Sequence, residues 1–126
     1  MDRNTELYEH LPGSSLDRCK RATTQESVDG EICASCSAWN LLGKRWTFLI
    51  ITLLLGRSLS FQELAKHTEG ISAKVLSERL KELEREGVIR RQVHDRRPIR
   101  VTYHLSAKGE ALEPVIRAID VWSQLL

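Results

Sequence analysis

Apolar residues recur at helical spacing from about residue 31 onward, and the period shortens to two only once, late in the chain. Ile32, Cys36, Trp39 and Leu42 fall three or four apart and predict a first helix that stops at Gly43. A second segment holds Trp46, Phe48 to Ile51 and Leu53 to Leu55 and ends at Gly56. It is apolar on nearly every side, which predicts a helix at the centre of the core. Ser60 and Glu63 have the S-x-x-E spacing of a capping box, in which each side chain satisfies the other residue's backbone N–H, and they predict a short helix from Phe61 to His67. Gly70 marks a turn and Ser72 is a good N-cap for the next helix. Val75, Leu76, Leu80 and Leu83 form its buried stripe, Lys81, Glu82, Arg85 and Glu86 its charged face, and Gly87 its end. Val88 to His94 and Arg100 to Leu105 then predict two strands joined by Asp95-Arg96-Arg97-Pro98. In the second, Val101, Tyr103 and Leu105 alternate with Thr102 and His104, as in a half-buried ribbon. Ala107 to Leu126 closes the chain as a helix carrying Leu112, Val115, Ile116, Ile119, Trp122, Leu125 and Leu126, with Pro114 either kinking it or marking its true start.

This order predicts an α+β fold, mainly α. It is a winged helix-turn-helix, with a two-stranded β-hairpin as the wing and further helices on either side. Residues 1–30 have few large apolar side chains and a polar stretch from Arg21 to Gly30. They predict a flexible or loosely docked extension in which Leu7, Tyr8 and Leu11 could form a short helix, ahead of a domain spanning residues 31–126. A chain of 126 residues and 14.4 kDa with 41% hydrophobic and 29% charged residues has the size and composition of one soluble domain. Its longest apolar run, Phe48 to Leu55, is far short of the ~20 residues that span a bilayer, and Met1 to Leu11 lacks a signal-peptide core. The expectation is a cytoplasmic protein with no membrane partner. Three cysteines in a reducing compartment do not predict a disulfide framework.

Charge changes the picture once it is divided along the chain. Residues 1–30 hold four basic and six acidic residues, and the remainder carries 15 basic against 11 acidic. Arg90, Arg91, Arg96, Arg97 and Arg100 stand against one acid, Asp95, between Val88 and Val101. That concentration suits a polyanion, with a solvated surface hairpin as the alternative. An enzyme is not indicated. There is no glycine-rich phosphate loop, no catalytic carboxylate pair and no nucleophile with a base, and His10, His67, His94 and His104 are scattered. No cofactor or metal is expected.

Several motifs, in order, resemble the HxlR-type winged-helix transcriptional regulators, relatives of the MarR group. They are Gly43-Lys44-Arg45-Trp46, the stretch from Gly70 to Glu84, Gly87-Val88-Ile89-Arg90-Arg91, and Val101 to Gly109. Cys33, thirteen residues before Trp46, stands where many members place a cysteine, although Ala34 follows it where the family usually has proline. The resemblance implies a homodimer through the N- and C-terminal helices, here Trp39, Leu42, Ile116, Ile119, Trp122 and Leu126, each of which could instead serve the intramolecular core.

Double-stranded DNA is the partner expected on physical grounds as well, because a helix fits the major groove and reads it with its N-terminal turns. Ser72, Ala73, Lys74 and Ser77 are the candidate contacts, Glu78 shares their exposed side, and Arg79 either flanks them or pairs internally with Glu82. Arg96, Arg97 and Arg100 are the candidate wing contacts. Cys33 and Cys36 leave several readings open. They could sense oxidants or electrophiles, as the resemblance implies for some members at Cys33. They could bind zinc with Cys19 and His10, act as a thioredoxin-like pair, or simply be small buried residues. The function expected is a sequence-specific DNA-binding regulator acting as a homodimer on an inverted repeat, its inducer unknown. The rival is a winged-helix module that binds an acidic protein.

Overall fold

The computed structural model describes residues 34–126, so the expectations for residues 1–30, Ile32 and Cys33 lie outside the described residues. The chain divides into two compact units between Gly43 and Lys44. Of the first, helix α1 (Ala34–Leu42) is described. It ends where Gly43 N–H donates to Trp39 O at 2.8 Å, as the glycine predicted.

The second unit runs α2 (Thr47–Leu53), β1 (Leu59–Ser60), α3 (Phe61–His67), α4 (Ala73–Arg85), β2 (Ile89–His94), β3 (Arg100–Leu105), α5 (Ala107–Glu110) and α6 (Glu113–Ser123). Ile50, Ile51 and Leu54 of the α2 segment meet Leu64 of α3 and Leu76, Leu80 and Leu83 of α4 in a core where each is 2% exposed or less. Burial of side chains this size contributes about 1.5–3 kcal/mol each, so the α4 stripe fixes which face of that helix turns inward. Among the described residues no helix is long and apolar enough to cross a membrane.

Four local expectations need correction. The wing belongs to a three-stranded antiparallel sheet of order β1-β3-β2, with Leu59 opposite Tyr103 and Ser60 opposite Thr102. A two-residue strand carries no period, which hides β1 in the sequence. As the central strand β3 is paired along both edges, and Thr102 is buried with Leu105 while Val101 and Tyr103 stay half-buried. The second helix starts after Trp46, which takes a left-handed conformation (φ 78°), and is only seven residues long. The final helix is two, α5 and α6, and Pro114 lies in the first turn of α6, where its missing N–H costs nothing.

Two turns pin the wing to α4. Gly87, at φ 74°, donates to Glu84 O at 3.0 Å while Val88 N–H reaches Leu83 O at 2.9 Å, the paired bonds of a Schellman stop. Ser106 then ties the far end of β3 to the same place. Its N–H donates to Val88 O at 3.0 Å, its hydroxyl donates towards Gly87 O at 2.5 Å with Val88 O at 3.0 Å, and it accepts from Gly109 N–H at 3.2 Å. The chain passes so closely that a Cβ on Gly109 would lie 2.3 Å from Val88 O and 3.0 Å from Leu105 Cδ2. Both are buried and neither has room to retreat. Gly109→Ala is therefore expected to lower stability by about 1–3 kcal/mol, seen as a lower urea midpoint at unchanged slope.

Candidate nucleic-acid interface

The helix-turn-helix is built from side chains that close its own ends. In α3, Ser60 Oγ accepts from Glu63 N–H at 3.2 Å and Glu63 Oε1 accepts from Ser60 N–H at 3.4 Å, the capping box that the spacing predicts. Thr68, fully buried in the turn, donates its hydroxyl to Leu64 O at 2.8 Å. Ser72 caps α4 by accepting from Val75 N–H at 3.1 Å. With Leu76, Leu80 and Leu83 inward, the first turns of α4 show Ser72, Ala73 and Lys74 to solvent, and Ser77 is half-buried.

A polar seam holds the back of α4. Lys44 Nζ donates to Glu82 Oε1 at 2.5 Å across 38 residues of sequence, and Arg79 Nε donates to Arg45 O at 3.2 Å. Arg79 also lies 3.8 Å from Glu82 Oε2, the internal pairing that was its alternative reading. Arg45 stacks its guanidinium over the Trp46 ring at 4.9 Å, and the Trp46 ring edge stands 3.7 Å from where a Cβ on Gly70 would be. Periodicity cannot reveal that the Lys44-Arg45-Trp46 segment braces α4. The one available signal is the family resemblance of that tripeptide.

The wing places Arg96, Arg97, Pro98 and Ile99 in solvent. Arg100 differs, because its Nη2 donates to Glu63 Oε1 at 2.5 Å and so fastens the base of the wing to the α3 cap. Between wing loop and α3 lies an open groove of about 1050 Å³, lined among others by Phe61, Lys66, His94, Arg96 and Arg97. Hydrogen bonds from the Ser60 hydroxyl and N–H, and then from Arg100, hold the Glu63 carboxyl below its ordinary pKa.

The candidate dimer residues remain uncovered in varying degree. Trp39 is exposed in α1, where Leu42 is half-buried. In α6, Ile119 and Trp122 are exposed and Ile116 is half-buried, and Leu126 follows in the exposed C-terminal tail. Cys36 falls within α1 but its side chain, like Cys33, Cys19 and His10, lies outside what the structure describes. Among the described residues no three metal-ligating side chains cluster.

Residues 41–126 match the family model described as HxlR-like helix-turn-helix. The chain belongs to this family. An uncharacterized HTH-type transcriptional regulator, YvaP of Bacillus subtilis (strain 168), is 45% identical over 86 residues, covering 68% of this chain and 80% of YvaP. The HTH-type transcriptional regulator YodB of the same organism is 44% identical over 87 residues, 69% of this chain and 78% of YodB. The reduced form of YodB superposes with a TM-score of 0.67 at 41% identity, over 74% of this chain and 92% of that one. YodB structures in diamide-treated and quinone-bound form give TM-scores of 0.64 and 0.65. This HxlR-like chain is a transcriptional regulator of the DNA-binding helix-turn-helix type and not an enzyme.

Glu63 generates a pH-dependent expectation. Its carboxyl titrates lower when folded than when unfolded, so its contribution to stability is present above the ordinary carboxylate pKa of about 4.3 and is lost as pH falls through the folded value. Thermal melts of Glu63→Gln should lie below the parent at pH 7, and the gap should close as the pH falls towards 3. A gap that stays constant across that range would contradict the assignment.

Proposed function

We propose that this protein is a cytoplasmic, homodimeric regulator that binds an inverted-repeat operator through α4 and the wing. The observation that carries the reading is how the cations divide. Lys44, Arg79 and Arg100 are engaged by Glu82, a backbone carbonyl and Glu63, whereas Lys74, Arg96 and Arg97 make no ion pair or side-chain hydrogen bond among the described residues. Unpaired cations on a helix N-terminal turn and on a wing tip are what phosphates and groove edges take up. Lys74, Ser72, Ala73 and Ser77 are the proposed major-groove contacts and Arg96 and Arg97 the proposed minor-groove contacts, with Arg79 and Arg100 as positioning residues that aim them.

Support for dimerisation comes from α6. None of its residues is buried, and Val115, Ile119, Val121 and Trp122 are each at least 41% exposed. An amphipathic helix that leaves these apolar side chains in solvent suits a two-fold partner, and a two-fold axis sets recognition helices about 34 Å apart on one side of a duplex. Cys33 is the proposed input. The support is the family position of this thiol together with the diamide-treated and quinone-bound forms known for YodB. A low-pKa thiolate is the species such reagents attack.

Fluorescence anisotropy checks these points together. The reduced protein should bind duplex from upstream of its own gene about 10³-fold or more tighter than scrambled duplex. Diamide should weaken that binding in the parent and leave Cys33→Ser unaffected. Equal, weak and steeply salt-dependent binding to both duplexes would reduce the arginines to a general polyanion patch. No binding at low salt would favour the protein-interaction module.

A further inference from the structure

Helix geometry places residues 74, 78, 81 and 85 on the side of α4 opposite Leu76, Leu80 and Leu83. All four are exposed, and they read Lys74, Glu78, Lys81, Arg85. Glu78 is thus the one acid in a cationic row, two turns into the helix and one turn beyond Lys74. Lys74 and Lys81 lie at the four- and three-residue spacings that pair on helices, yet among the described residues Glu78 makes no ion pair and no side-chain hydrogen bond. Glu82, by contrast, is turned to the seam with Lys44 and Arg79. Glu78 and Glu82 therefore have different surroundings, and of the two only Glu82 has an internal ion pair.

A carboxylate on a DNA-facing surface is repelled by phosphates, which carry one charge per ~1.7 Å of duplex axis. It also faces acceptors on most base edges: guanine N7 and O6, thymine O4 and adenine N7. Cytosine is the exception, presenting its N4 amino group as donor with no acceptor beside it on the same base. We propose that Glu78 is a specificity-determining residue that accepts a hydrogen bond from cytosine N4 in the major groove and penalises every other base at that position. The inference rests on the DNA-binding reading above and deepens it, because it names the base pair that one residue demands. Lys74 supplies attraction that is largely indifferent to sequence, and Glu78 converts it into discrimination by making wrong sites worse.

Selection from a duplex library with a randomised centre tests this, using the parent, Glu78→Ala and Glu78→Gln in full-length form. Glu78 is exposed and makes no ion pair or side-chain hydrogen bond among the described residues, so the variants keep the fold. The parent should select a C·G pair at one position of each half-site. Glu78→Ala should lose the preference at that position alone, by about tenfold, and should bind scrambled duplex more tightly than the parent. Glu78→Gln should move the preference to A·T, since an amide pairs with adenine N6 and N7. If the parent selects a sequence but Glu78→Ala selects the same one, or binds scrambled duplex less tightly, the role of Glu78 is refuted and the DNA-binding reading stands. If the parent selects no sequence at all, that reading fails with it.

Discussion

The orientation of α4 is the constraint on which everything else depends, and two kinds of interaction set it. Leu76, Leu80 and Leu83 lie 2% exposed or less against the core and supply the energy of docking. The seam of Lys44 with Glu82 and of Arg79 with Arg45 O contributes little to stability by comparison, since its Lys44 side chain is 44% exposed and such pairs are worth about 0–1 kcal/mol. Its value is directional. A leucine stripe tolerates a small rotation about the helix axis, whereas a guanidinium hydrogen bond to a fixed carbonyl does not. Rotation by one residue's arc would move Lys74 and Glu78 off the side proposed to face the duplex.

The same logic explains how acids are used. Glu63 and Glu82 draw Arg100, Lys44 and Arg79 into the scaffold, one at the foot of the wing and the others behind α4. The remaining cations at the working ends face solvent. A net charge of +2 therefore understates the local field, because several of the acids are spent on holding cations in place. Ser106, Gly87 and Gly109 complete the arrangement by closing the sheet on the end of α4, so that wing and recognition helix share one anchor.

Much of this was legible in the sequence because it is encoded locally. The Ser60/Glu63 box, the Ser72 cap, the Gly87 stop and the α4 stripe all depend on residues close to one another in sequence. What escaped depends on distant partners. Nothing local says that Lys44 meets Glu82 or that Arg100 meets Glu63, 38 and 37 residues away. Strand β1 is too short to have a period, so its pairing with β3, which sets Ser60 opposite the buried Thr102, goes unforeseen. Arg79 is a further case, offered by the sequence both as a flank of α4 and as an internal partner of Glu82. Its place in the sequence suits a flank of the recognition helix, and its carbonyl partner on Arg45 is visible only in three dimensions.

The division of the cations into braces and contacts can be measured directly by the dependence of operator affinity on salt. Each phosphate contact contributes close to one unit to the slope of log K against log salt. Arg97→Ala should reduce that slope by about one and leave the melting temperature unchanged. Arg79→Ala should weaken binding and lower the melting temperature while leaving the slope as it was. A slope that falls by about one in Arg79→Ala, or that stays the same in Arg97→Ala, would contradict the division.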